Sequence, residues 1–177
     1  QIRLGTPGDA ARERELWQLA FGDDGAYVNN FYQTYYKPER MLLLEEDGVV
    51  QSMTAWFDTQ LVLPGEGRFR AAYLYAVATD PDFRSRGLSS LLLSEVHRRL
   101  AAEGLAFSAL VPAEVSLFDY YGVRGFSTEF FRRAVSIAPG FGTGLEPVLS
   151  PVALPELLSL RDSAFGSSAL YGRWDEQ

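Results

Sequence analysis

The segment Arg84-Ser85-Arg86-Gly87-Leu88-Ser89-Ser90 joins an uncharged apolar run to an amphipathic one. The first N–H groups of a helix have no partner within the helix. They carry partial positive charge and point along the axis, so an anion such as a phosphate fits against them. Gly87 has no side chain to hold a phosphate away. Ser89 keeps the next position small, and its hydroxyl offers a donor. Arg84 and Arg86 bring positive charge to a chain with 16 basic and 23 acidic residues. A charge-assisted hydrogen bond here contributes roughly 1.5–3 kcal/mol. The segment lacks the Gly-Lys-Ser/Thr ending of a Walker loop and the three glycines of a dinucleotide-binding turn.

The elements around this turn follow from hydropathy. Ile2, Arg3 and Leu4 alternate as in a short strand. Thr6-Pro7-Gly8-Asp9 supplies caps for a helix over 9–21, which Gly22-Asp23-Asp24-Gly25 stops. A second, aromatic-rich helix over 26–36 ends ahead of Lys37-Pro38. Residues 41–44 and 49–63 read as strands about the turn Glu46-Asp47-Gly48. Residues 71–78 contain no charge, as expected at the centre of a sheet. Asp80-Pro81-Asp82 sets a sharp turn before the anion-binding segment. Leu88, Leu91, Leu92, Val96 and Leu100 then share one helical face, and Gly104 ends that helix. A strand over 106–111, a short helix over 113–121 and one or two strands over 126–137 complete the pattern. The order β-α-α-β-β-β-α-β-α-β predicts an α/β fold, a mixed sheet flanked by helices.

Beyond residue 138 the composition changes. Pro139-Gly140-Phe141-Gly142-Thr143-Gly144 reads as a linker, and 154–165 as a helix. Leu16, Ala20, Phe21, Gly22 and Tyr27 recur as Leu160, Ala164, Phe165, Gly166 and Tyr171, an offset of 144. Two ordinary amphipathic helices ending in Gly would give this match, and so would the start of a second unit of the same fold. We therefore divide the chain into 1–138 and 139–177.

At 47% apolar and 14% aromatic residues, the chain can build a packed core. It has no cysteine, which excludes disulfides, thiolate zinc sites and a cysteine nucleophile. The single histidine, His97, makes a histidine metal cluster impossible, and its place off the leucine stripe predicts a surface residue without a role. No metal site is expected. Net charge −7 argues against nucleic acid or an anionic membrane as partner. No apolar run approaches ~18 residues, and residues 1–20 lack a signal pattern. The cytoplasm is the expected location.

The Arg84-x-x-Gly87-x-Ser89 spacing resembles the Arg-x-x-Gly-x-Gly/Ala signature of the GNAT (Gcn5-related) N-acetyltransferase superfamily. Ser stands at 89 where Gly or Ala is usual, and at 85 where many members have Gly. A second motif, Tyr120-Tyr121-Gly122-Val123-Arg124-Gly125-Phe126, resembles the family's aromatic-Tyr-x-x-x-Gly-Phe ending. Tyr121 follows Gly87 by 34 residues, about the family spacing. The order of elements agrees over 1–138. Val77-Ala78 through Leu88, with Tyr121-Gly122, look more narrowly like the first domain of Eis-type acetyltransferases, in which a second GNAT-like domain follows.

The resemblance implies acetyl transfer from acetyl-CoA to an amine. Residues 84–90 would hold the diphosphate, and backbone groups at Val77 and Ala78 would pair with the pantetheine. Tyr121 would donate to the departing sulfur, since a phenol titrates near ~10 and a thiol near ~8.5. The residues alone allow Tyr121 to be a core aromatic whose hydroxyl reaches the surface. No base is evident. Asp23, Asp24, Glu45, Glu46, Asp58, Glu114 and Asp119 are candidates, as are a water chain and, in Eis-type proteins, a carboxylate outside 1–138. Asp23 and Asp24 follow the first helix, whose end lines the acceptor site in this fold, and are the favoured attractors of the amine. Residues 1–60 hold ten acids and five bases, a balance that favours a cationic acceptor such as an aminoglycoside, polyamine or lysine side chain. Trp17, Tyr27, Phe31, Tyr32, Tyr35, Tyr36 and Trp56 could form an acceptor wall or core. The rival expectations are a non-catalytic acyl-CoA-binding sensor or scaffold and a peptide or protein amine acetyltransferase. Self-association as a homo-oligomer stays open.

Overall fold

The fold is that of a computed structural model, which describes residues 1–63, 65–130, 151–166 and 171–173. Strand β1 (Ile2–Leu4) leads through a 3-10 turn (Pro7–Asp9) into helix α1 (Ala10–Phe21). Asp9 sets this entry. Its carboxylate accepts from the Thr6 N–H and hydroxyl and takes a bidentate pair from Arg3. Helix α1 stops at Gly22, and α2 (Gly25–Thr34) starts where the Asp24 carboxylate accepts the Tyr27 N–H. Strands β2 (Met41–Glu46), β3 (Val49–Leu63) and β4 (Gly67–Thr79) follow, then α3 (Leu88–Ala102), β5 (Phe107–Ala109), α4 (Leu117–Gly122), α5 (Leu154–Phe165) and β6 (Tyr171–Arg173).

The sheet order is β1-β2-β3-β4-β5, antiparallel except for the parallel β4–β5 pair, and β6 joins β3 alongside residues 60–62. Helices α1 and α2 cover one face, burying Leu16, Trp17, Val28 and Phe31 against Leu43 and Met53. Helix α3 covers the other, burying Leu88, Leu92, Leu93, Val96 and Leu100 against Leu42, Leu44 and Leu74. Burying each of these leucines contributes roughly 1.5–3 kcal/mol. Both faces of β2 are covered over residues 41–44, which is why Met41-Leu42-Leu43-Leu44 is continuously apolar.

Several local expectations change. Leu91 is exposed and Leu93 takes the buried place, because the buried stripe follows the row 88-92-96-100. Strand β5 is three residues long, and residues 126–130 form no strand. Residues 131–137 and the linker at 139–144 lie outside the described residues. Strand β6 had no sequence signal. Its Tyr171, equated above with Tyr27, begins a strand and not a helix.

One irregularity shapes the site. Tyr75 pairs with Ala55 and Ala78 with Met53, so Ala76 and Val77 together oppose Thr54. Ala76 adopts φ +49°. This is a β-bulge, and it reverses the side-chain phase of β4. Before it, Tyr75 packs on the α1 face; after it, Ala78 does, while Val77 packs on the α3 face.

Candidate functional site

Strand β5 pairs with β4 only at residues 71–73. Beyond this point β4 runs on through residues 74–79 with no neighbour on that side among the described residues. Asp80 donates its N–H to Gln51 O of β3. By strand alternation Thr79 and Val77 turn their backbone groups to the open side, and Ala78 faces β3. Consistent with this, Arg84 Nε donates to Thr79 O at 3.3 Å on that side, and the Ser52 hydroxyl donates to Ala78 O at 2.8 Å. The two residues expected to pair with pantetheine therefore differ: Val77 presents free edge and Ala78 is tied to β3.

The 84–90 turn follows directly. Asp80 caps the 3-10 turn Pro81–Phe83 and pairs with Arg12 of α1 at 2.6 Å. The Arg12 hydrogen bond holds the Asp80 carboxyl below its ordinary range. Ser85 (φ +62°) and Gly87 (φ +80°) are both left-handed. This turns successive N–H groups into one concavity, a shape that suits anions. The strain at Ser85 accounts for the preference for Gly there. No side chain caps α3, whose N-cap is Gly87, and a Cβ built on Gly87 meets nothing within 4 Å. A pyrophosphate fits this open, uncapped end.

Two side chains do not do what the sequence suggested. Arg86 lies over the Phe83 ring and pairs with Glu46 at 3.0 Å. The Ser89 hydroxyl shares a short hydrogen bond with Tyr120 OH, and its O–H is spare only where Tyr120 is the donor. Ser90 Oγ accepts from Arg124 Nε and Nη2 at 2.9 and 2.7 Å. Arg124 also stacks 3.5 Å above the Tyr120 ring. These latches join the first turn of α3 to α4 on either side of Tyr121. They bring the two sequence motifs together and place a guanidinium beside the helix end. Arg124 was missed because it occupies a variable position of its motif; its i, i+4 relation to Tyr120 was the available signal.

Tyr121 is buried, edge-on to Tyr120 and Phe126. Gly125 at φ +90° allows Phe126 to fold back, with its N–H on Tyr121 O. Burial chiefly, with Tyr120 adding, pushes the Tyr121 phenol up to about 12. It stays protonated and keeps an O–H to donate. Burial also lowers the pKa of His97, contrary to the surface placement expected for it. Its Nε2 meets the Ser108 hydroxyl at 3.0 Å and its ring meets Phe126.

Tyr121, Gly122 and His97 line a cavity of about 1460 Å³ that extends past β5 to α2. Of the aromatics expected there, Tyr27, Phe31, Tyr35 and Trp56 line it, whereas Trp17, Tyr32 and Tyr36 do not. Phe57, Tyr73 and Tyr75 line it unforeseen. The acids are largely engaged. Asp23 accepts from Trp17 Nε1 at 2.8 Å and Asp24 caps α2, so each carboxylate has one structural hydrogen bond and keeps its charge. Asp9 and Glu45 pair with Arg3, Glu15 with Arg12, Glu46 with Arg86 and Asp58 with Arg40. Half of the ten acids of residues 1–60 thus hold arginines.

A parted β4–β5 pair, a bulge in β4 and an uncapped α3 define the acyl-CoA N-acyltransferase architecture. Residues 1–128 match the model of the acetyltransferase (GNAT) domain family, and the chain belongs to that family. It is 30% identical over 135 residues to the N-acetyltransferase Eis of Mycobacterium tuberculosis, a match covering 72% of this chain and 32% of the relative. Eis1 from Mycobacterium abscessus superposes with TM-score 0.60 at 17% identity, over 69% of this chain and 31% of that one. An aminoglycoside acetyltransferase from an uncultured soil metagenomic sample superposes with TM-score 0.54 at 18% identity, over 78% and 98%. The alignment spans about a third of the length of the curated relatives the chain matches. Acetyl-CoA is the usual acyl donor of the family. Among the described residues no helix is long and apolar enough to cross a membrane.

Proposed function

We propose that this domain transfers the acetyl group of acetyl-CoA to the primary amine of a small molecule that is cationic in solution; the aminoglycosides and polyamines expected from charge serve as reference acceptors in its test. The observation that carries the reading is the parting of β4 from β5 beside an uncapped α3. Acetyl-CoA supplies an acyl thioester, whose carbonyl an amine can attack. The N–H groups of residues 86–90 and the side chains of Arg84 and Arg124 bind the diphosphate. Arg86 steers from its pair with Glu46. The free edge at Val77 orients the pantetheine arm, with Ala78 as the support behind it. Tyr121, held protonated by burial, donates to the sulfur as the C–S bond breaks. Of the wall carboxylates, Asp58 pairs with Arg40 and Glu129 is exposed, and this reading gives the amine proton to water or to a carboxylate outside 1–138.

We read 1–138 as one unit and 139–177 as the opening of a second. In support, α5 repeats the twelve-residue length of α1 and likewise ends before a glycine. Leu157 and Leu160, at the places of the buried Glu13 and Leu16, are about half exposed, as expected of a helix whose own sheet lies elsewhere. The whole reading is tested by thiol release from acetyl-CoA over a panel of amines. Amine-dependent release supports it; CoA binding without release for any amine or peptide would replace it with the sensor reading.

A further inference from the structure

The acceptor half of the cavity is walled by ring faces. Tyr27, Phe31 and Tyr35 recur every four residues along α2, so they share one side of it. Phe57 comes from β3, and Tyr73 and Tyr75 from alternate positions of β4. All six line the cavity. Phe57 and Tyr73 are cross-strand partners. Their rings stack 6.4 Å apart, Phe31 stacks on Tyr75 at 6.0 Å, and Tyr35 meets Phe57 edge-on at 5.8 Å. The rings therefore form one continuous surface. The rings' own hydroxyls form a hydrogen bond between Tyr27 OH and Tyr75 OH, and Asn30, Thr34, Asp58 and Thr59 line the cavity beside the rings.

The charges around this surface do not favour a polycation or a sugar. Asp58 on the wall is tied to Arg40, which also holds Glu103. Lys37 and Arg40 add positive charge, and Glu129 is exposed at the rim. A sugar amine would bring many hydroxyls against rings that offer few partners, and each unmatched group is costly. A polyamine would need several unpaired carboxylates. A flat apolar body stacks on such a wall, and its ammonium is drawn to ring faces on approach.

We propose that the acceptor is a primary amine carried on an aryl or arylalkyl body, with the body against the rings and the nitrogen at the Tyr27–Tyr75 hydroxyl pair. This rests on the amine-acetylation reading above. Within the pair one proton joins the two oxygens. The other proton and the remaining lone pairs face outward, so the pair can accept an amine N–H and orient the nitrogen lone pair. Burial raises the pKa of Tyr75, which keeps its hydroxyl protonated.

The test is calorimetric binding of 2-phenylethylamine, glucosamine and spermidine to the whole chain, with and without CoA, alongside acetylation of each. Phenylethylamine should bind at least about tenfold tighter than the other two, a difference of about 1.4 kcal/mol. Tyr75→Phe and Phe57→Ala should each weaken phenylethylamine several-fold while leaving CoA affinity and the circular dichroism spectrum unchanged. Equal or tighter binding of glucosamine or spermidine, or no binding of phenylethylamine, would overturn the assignment. Phenylethylamine that binds but is not acetylated upholds the site's specificity and removes only the proposed reaction. Acetylation with glucosamine preferred removes only the specificity.

Discussion

The two halves of the proposed site are built in opposite ways. The thioester end is made of backbone: a left-handed turn, a helix start and a strand edge, with small residues that keep out of the way. The acceptor end is made of large side chains gathered from α2, β3 and β4. On the proposed reading, backbone geometry at the first end serves any CoA thioester, and side-chain identity at the second selects the amine. Substitutions should therefore separate. Changes at the thioester end should alter CoA affinity or turnover for all acceptors, and changes at the acceptor end should reorder acceptors.

The largest effect is expected at the junction. Tyr121→Phe should lower kcat about 100-fold, as expected for loss of a proton donor, with CoA affinity intact; a parallel fall in CoA affinity would blur the division. The acceptor end should also respond to pH through its supports. Glu13 of α1 is buried with one oxygen unpartnered among the described residues, and burial chiefly raises its pKa to about 7. Its folded pKa exceeds the unfolded one, so its contribution is full below about pH 4.5 and lost as pH rises through 7, on the order of 2–3 kcal/mol. Asp9, held low chiefly by Arg3, acts in the opposite sense and loses its contribution only in acid. Between pH 5 and 8 the Tm of the native chain should fall relative to that of Glu13→Gln, because the opposite slope from the buried His97 is common to both proteins. Arg124→Ala should weaken CoA binding about tenfold without reordering acceptors in the amine panel. The smallest effects belong to Asp23→Asn and Asp24→Asn, which should shift the KM for any amine less than about twofold. Asp24→Ala should cost ~1 kcal/mol of stability through the lost cap, read by urea titration.

The thioester end was legible in the sequence because its signals are local. A charge-free strand, a turn residue at 81, glycine at 87 and a helical stripe from 88 fall within one short segment. Helices α1 and α5 and strand β3 were likewise bounded by adjacent turn residues. The acceptor end was not legible. Alanine gives no hint of a bulge at position 76, and the bulge decides which face each β4 side chain meets. The pairing of Arg86 with Glu46, or of Arg40 with Asp58 and Glu103, joins residues far apart in sequence and obeys no spacing rule. Acids counted as available for substrate were thus already engaged.

The most direct test of the central claim is titration of CoA into the native chain and into Gly87→Val by calorimetry. A side chain at φ +80° and in the path of the diphosphate should weaken CoA at least about 30-fold, about 2 kcal/mol, while the variant keeps its cooperative melting transition. Equal affinity in the two proteins, or no heat with the native chain, would contradict the claim that the start of α3 holds the cosubstrate.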